Sequence, residues 1–208
     1  MKIKSTIKIL LLSALASTPA LAVFDVQAAI GYANIAYVDN GSPTNIGKLK
    51  DNSFKGASMT LAAHLNVSFP LVLSLGVGPY MTTGPNMSYS AEVAGIGVTY
   101  ANSQFTIGGE VYVKVLAIPA ISPYAKFGFG SDSLKSVASS GGVSVETNFS
   151  GTGYRALAGL ELPILPLISL FAEGGVTGSS YDVTVITISG LKAKSTGYLV
   201  NFGVSLNL

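Results

Sequence analysis

The 208-residue chain has no cysteine, a single histidine and few charges of either sign. Without cysteine there is no disulfide framework, no thiolate metal site and no lipid-modified N-terminus, which needs a cysteine at the cleavage point. Charged side chains make up 11% of the sequence, and the mean hydropathy is +0.52. An ordinary soluble domain carries about a quarter charged residues, so this chain lacks the charges to cover a water-facing surface. No run reaches the roughly 18 apolar residues of a membrane helix. The hydrophobicity must therefore be spread along strands, and in lipid such strands have to close on themselves to pair every backbone group. The length suits one domain or a single barrel.

Residues 1–22 stand apart. Lys2, Lys4 and Lys8 form a basic start, Ile9 to Ala16 a short apolar core, and Ala20-Leu21-Ala22 a small-x-small cleavage site. This predicts export and cleavage after Ala22, leaving residues 23–208 as the mature chain. Removing three of the twelve basic side chains leaves nine against ten acidic ones. The sequence pI of about 8.7 therefore belongs to the precursor, and the near-neutral remainder has no electrostatic case for nucleic acid.

The chain ends on a sustained alternation. Tyr198, Val200, Phe202, Val204, Leu206 and Leu208 fall on one face of an extended strand, with Asn201, Gly203, Ser205 and Asn207 on the other. The same pattern recurs upstream: Val26, Ala28, Ile30 and Tyr32 against Asp25, Gln27 and Gly31; Met59, Leu61, Ala63, Leu65 and Val67 against Ser58, Thr60, His64, Asn66 and Ser68. Phe105 to Val115, Tyr124 to Gly130, Arg155 to Leu162 and Ile168 to Val176 repeat it.

Pro70, Pro119 and Pro163-Ile164-Leu165-Pro166 mark tight turns that divide the mature chain into four units of strand, polar segment and strand. The polar segments, near 39–54, 82–104, 131–150 and 177–195, read as loops longer than the turns. Four hairpins predict an all-β fold, a closed antiparallel up-and-down transmembrane β-barrel of eight strands with short periplasmic turns and longer extracellular loops. Ten strands result if Tyr89 to Tyr100 and Tyr181 to Ser189 also span; alternatively Tyr89 to Tyr100 extends its hairpin beyond the membrane.

Alternation alone does not say whether the apolar face meets a core or lipid. The opposite face decides, because it is mainly Gly, Ala, Ser, Thr and Asn with isolated charges rather than the dense charge a water-facing surface needs. Small residues suit the crowded interior of a narrow barrel. The inward charges are then Asp25, Glu110, Glu161 and Glu173 with Lys114, Lys126 and Arg155, expected to pair because an unpaired buried charge is expensive. The two readings of this set are a polar plug and a gated ion path.

His64 joins that luminal hydrogen-bond network. A hydrolase that needs a histidine base would have to use it, with Ser58 and Ser68 on its face. It lies six residues before Pro70, in the periplasmic part of its strand. The Gly-x-Gly pairs Gly76/Gly78, Gly95/Gly97 and Gly128/Gly130 precede no helix and mark crowded strand faces rather than a nucleotide site. No cofactor or metal cluster is expected. Phe24, Phe69, Tyr80, Phe105, Tyr124, Tyr154 and Tyr198 recur near strand ends, as an interfacial girdle would.

The closing strand resembles the C-terminal recognition strand of Gram-negative outer-membrane proteins, although it ends in Leu208 where those usually end in an aromatic residue. With the Pro-Tyr-x-x-x-Gly-x-Gly stretch from Pro123 to Gly130, the chain from 23 to 208 is similar to the small outer-membrane β-barrel superfamily that includes the OmpA transmembrane domain, OmpX and the opacity proteins. The resemblance implies the cell outer membrane as location. It also implies insertion by the barrel-assembly machinery through the last strand, and outer-membrane lipids and lipopolysaccharide as surroundings. Function is left open among surface binding through the loops, an OmpW-like conduit whose exit Val93 to Val98 would line, and a lipid-modifying enzyme. Such an enzyme works at the outer leaflet, away from His64. Lys48, Lys50 and Lys55 give the first loop a basic patch.

Overall fold

A computed structural model describes residues 21–39, 53–69, 72–84, 87–93, 96–116, 121–185 and 188–208. Residues 1–20, Pro70, Pro119 and most of the 39–54 segment lie outside these. Nine strands follow one another: β1 Leu21–Asp39, β2 Ser53–Phe69, β3 Leu73–Thr83, β4 Met87–Val93, β5 Ile96–Val115, β6 Ser122–Ser140, β7 Val143–Leu165, β8 Ile168–Val185 and β9 Ile188–Asn207. All pairings are antiparallel, and eight strands close a ring, β1-β2-β3-β5-β6-β7-β8-β9 and back to β1. The chain end seals it, since Phe24 and Leu208 exchange both backbone hydrogen bonds, at 3.0 and 2.7 Å. β4 pairs with β5 outside the ring. The ring thus has eight strands rather than ten, and Tyr89 to Tyr100 falls in a hairpin extension.

Register sets the barrel's shape. From Gln27 the rungs run through Ala62, Tyr80, Gly108, Gly130, Gly153, Ser179 and Ser195, and return to β1 at Tyr37, ten residues further on. Ten strand steps of ~3.3 Å against eight strand spacings of ~4.8 Å tilt the strands by about 40°. An eight-stranded barrel of that tilt has a lumen that side chains just fill.

The outward face is a belt of exposed apolar groups, among them Ile30 at 69%, Phe202 at 61%, Val77 at 59% and Phe129 at 59%. In water such a surface would be untenable; in a bilayer it is the contact surface. Among the described residues, the outward-facing charges Lys55, Lys135, Glu146, Asp182 and Lys194 all sit toward the loop ends of their strands.

Three sequence expectations are corrected here. The segments 82–104, 131–150 and 177–195 are largely strand rather than loop: β5 to β9 run through them, and β6 and β7 meet at a two-residue turn, Gly141-Gly142, with φ of 56° and 83°. Positive φ at both central positions is the geometry of a twist-matched hairpin turn, which glycine adopts without steric cost. Pro163 lies within β7, opposite Ser169, with the register slipping between Pro163 and Leu165 and the turn at Pro166 and Leu167. Finally, Tyr80 and Tyr124 are 3% and 5% exposed and point into the lumen, whereas Phe24, Phe105, Tyr154 and Tyr198 are outward. Their strand parity, shared with Gly78 and Lys126, overrides their nearness to strand ends.

Candidate functional site

Period-two geometry sends every second side chain of each strand inward, and the barrel's tilt decides which of them meet. The inward set holds Asp25, His64, Glu110, Lys114, Lys126, Arg155, Glu161 and Glu173, all of them buried. They cluster in the half of the barrel nearer the turns and the chain ends.

Three cations take three carboxylates. Lys114 Nζ lies 2.7 Å from Glu161 Oε2, which also accepts from Tyr112 OH at 3.0 Å. Lys126 Nζ donates to Glu173 Oε2 at 2.8 Å and to Gln27 Oε1, and stands 5.0 Å from the Tyr124 ring centroid. Glu173 is completed by Tyr124 OH at 2.9 Å and Asn201 Nδ2 at 2.8 Å. Arg155 donates to Glu110 Oε2 from Nη2 at 2.5 Å and from Nε at 3.0 Å, and its Nη1 reaches Thr82 Oγ1 at 3.0 Å. Its guanidinium lies 3.7 Å above the Tyr80 ring centroid.

The fourth carboxylate, Asp25, accepts from Ser205 Oγ at 2.6 Å and Gln27 Nε2 at 2.8 Å. Its nearest basic group is His64, whose Nδ1 is 3.5 Å away, too far for a well-formed hydrogen bond. The other ring nitrogen, Nε2, lies 2.7 Å from Glu110 Oε1, and the imidazole stacks on Tyr112 at 5.3 Å between centroids. The two serines on the face of His64 do not meet it: Ser68 bonds Ser74 at 3.3 Å, and Ser58 Oγ has no protein partner.

Glycine makes the room. A side chain on Gly128 would press on Arg155 and Tyr80, one on Gly159 on Tyr124, and one on Gly203 on Phe171. Large inward rings therefore lie over bare backbone of neighbouring strands, and together they fill the bore. Above Arg155 a cavity of about 40 Å³ remains, lined by Ser58, Tyr80, Thr82, Gln104, Thr106 and Ser179. That is space for roughly three water molecules.

Beyond the cavity lies Asp132, in the 131–150 segment whose composition is that of a loop. Asp132 is 1% exposed and has no ion pair among the described residues. It accepts instead from Gln104 Nε2 at 2.6 Å, Tyr181 OH at 2.9 Å, Thr106 Oγ1 at 3.2 Å and Ser179 Oγ. Over it, Ala33, Ile35, Leu134, Tyr181 and Leu199 form an apolar cluster with Phe149 packed against it.

The sense of the faces thus inverts along β1, β6 and β9. Within the belt apolar groups point out and polar groups in; above it Ile35, Leu134 and Leu199 point in while Asn34, Lys135 and Lys194 are outward. The inversion marks where lipid gives way to water as outer solvent. Above that level β4, β5, β6 and β7 continue as a projecting four-stranded sheet. Its β7 edge from Val143 to Phe149 has no partner strand among the described residues, because the β7–β8 ladder begins at Ser150 and Asp182. Ile96, Val143 and Val145 are 59%, 68% and 61% exposed on its inner face. On its outer face Lys135 Nζ bonds Glu146 at 2.8 Å, and this hydrogen bond holds the Glu146 carboxyl below its ordinary range.

No family model and no curated protein matches the sequence. Solved structures do. The attachment invasion locus protein Ail of Yersinia pestis, in complex with the heparin analogue sucrose octasulfate, is 15% identical with a TM-score of 0.49, over 88% of this chain and 99% of that one. Neisserial surface protein A gives 17%, 0.49, 88% and 96%, and the Escherichia coli outer-membrane protease OmpT 7%, 0.47, 90% and 97%.

Proposed function

We propose that this chain, similar in fold to small outer-membrane barrels, is a noncatalytic integral protein of the outer membrane that works through the surface it presents above the bilayer. Residues 1–22 are its signal peptide, and the last strand is what the barrel-assembly machinery engages. The turns then face the periplasm, and the projecting sheet faces outward.

The observation that carries this reading is the contrast between the two halves of the barrel. Below, ion-paired side chains and aromatic rings fill the bore, so a conduit along the axis has no room. Above, a sheet with an unpaired edge and an exposed apolar inner face stands on a rigid ring. An open edge offers backbone donors and acceptors to an extended segment of another chain, and alternate side chains give such pairing its specificity. The partner is a protein on a host cell, in the matrix or elsewhere in the envelope.

Two measurements test it. Residues 23–208, refolded and verified by heat-modified gel migration, are expected to remain silent in a planar bilayer; reproducible discrete openings would overturn the plug. Cells displaying the full chain should lose adhesion to matrix-coated or host-cell surfaces when residues 134–149 are replaced by a two-residue turn joining Ser133 and Ser150. Undiminished adhesion would overturn the role of the projecting sheet.

A further inference from the structure

The belt is not uniform. On the wall formed by β8, β9, β1 and β2 it is hollowed into a groove of about 510 Å³, lined by Ala28, Ile30, Met59, Leu61, Leu170 and Phe202. The register explains the hollow. Ala28 stands between Leu61 on β2 and Val204 on β9, one outward position below Ile30, which stands between Met59 and Phe202. A single methyl group among five large side chains leaves a trough open to the bilayer.

Continuing up the outward face of β1 from the groove gives Tyr32, then Asn34, then Ala36. Asn34 is the point of convergence. It lies opposite Lys55 on β2 and Tyr198 on β9, and its Nδ2 donates to Tyr198 OH at 2.8 Å. Two outward positions further along β9 stands Lys194, opposite Val38. Lys55 and Lys194 are both exposed, and neither has a salt bridge among the described residues. On the β6–β7 wall, by contrast, Lys135 is already neutralised by Glu146. Among the described residues the outward acid on the neighbouring strand is Asp182, one outward position further from the bilayer than Ser180, the partner of Lys194.

From Ile30 to Asn34 is about 13 Å along the strand. Apolar trough, aromatic ring, amide and free ammonium groups therefore follow one another in the order of acyl chain, ester and phosphate in a lipid. We propose that this wall holds one phosphate-bearing anionic lipid of the leaflet at the loop end, its acyl chains in the groove at Ala28 and its phosphate between Lys55 and Lys194. The site is independent of whatever the projecting sheet binds. Its partner is part of the membrane itself, which commits the two lysines to a headgroup rather than to a free anion.

Native mass spectrometry of the full chain, extracted from membranes in mild detergent, tests the proposal with phosphatidylglycerol, lipopolysaccharide and phosphatidylcholine as probes. One anionic lipid should be retained per barrel and phosphatidylcholine should not. Lys55→Gln with Lys194→Gln should weaken retention by about thirtyfold, the factor for two lysines near an anionic headgroup. Ala28→Phe fills the trough from the lipid side and should weaken retention of both anionic lipids, with heat-modified migration unchanged in both variants. Millimolar inorganic phosphate should not displace the lipid. Equal retention of phosphatidylcholine, wild-type retention by both variants, or displacement by free phosphate would overturn the assignment.

Discussion

Arg155 ties three strands of the ring together inside the lumen. It joins β7 to Glu110 on β5 and Thr82 on β3, and it covers Tyr80. Removing one partner of a buried pair costs about 3–5 kcal/mol, because the remaining charge is left without compensation. Arg155→Ala should therefore lower the urea midpoint of the barrel in liposomes by an amount in that range, with single-channel conductance near its wild-type level. A large conductance with an unchanged midpoint would mean that the network gates a path instead of sealing one. The buried charges other than Asp132 were legible in the sequence, because parity alone assigns Asp25, Glu110, Lys114 and Lys126 to the inside. Their pairings were not. Lys126 meets Glu173 across 47 residues and Arg155 meets Glu110 across 45, and nothing local marks those choices.

The β6–β7 hairpin is where element-level reading failed. Ser131 to Ser150 is rich in serine and glycine and resembles a loop in composition, yet its two halves pair with each other up to Ser140 and Val143, and the first half also pairs with β5 up to Ser139. The reason is the inversion of the faces. Apolar-out alternation is the mark of a lipid-facing strand, and above the belt the water-facing side must be polar, so the signal sought there is missing although the period persists. That is also why Asp132, Gln104 and Tyr181 escaped notice as a buried cluster. The Gly141-Gly142 turn follows the same logic at its tip. Gly141→Ala with Gly142→Ala places two β-carbons at positive φ, a cost of about 1–2 kcal/mol each. Faster amide exchange is expected across 137–147, with exchange in the 153–161 segment of β7 unchanged.

As a whole, the molecule is two solvents' worth of β-structure on one set of strands. This can be probed by charge. Val111 is 52% exposed on the outward face, opposite Val77 and Phe127, and Val111→Arg should destabilise the barrel in liposomes by about 2–4 kcal/mol, as a cation near the bilayer midplane does. Ser144→Arg, on the outer face of the projecting sheet, should leave the unfolding midpoint within error. Equal effects at the two sites would place the belt elsewhere.

The eight strands of the ring, the face each residue occupies within the belt and the closure of the chain by its last residues were determined by the sequence, because the period of two is a property of neighbours along the chain. The reach of the strands above the belt, the ten-residue stagger and the partner of each luminal charge were decided only by the tertiary structure. A stagger exists only once the sheet has closed, and the tilt it imposes brings residues of distant strands to the same height in the bore. Tyr80 shows the boundary between the two. Its parity with Gly76 and Gly78 was already written in the chain, but that it would lie beneath Arg155, over the space left by Gly128, followed from how far the strands had slipped past one another before the ring was sealed.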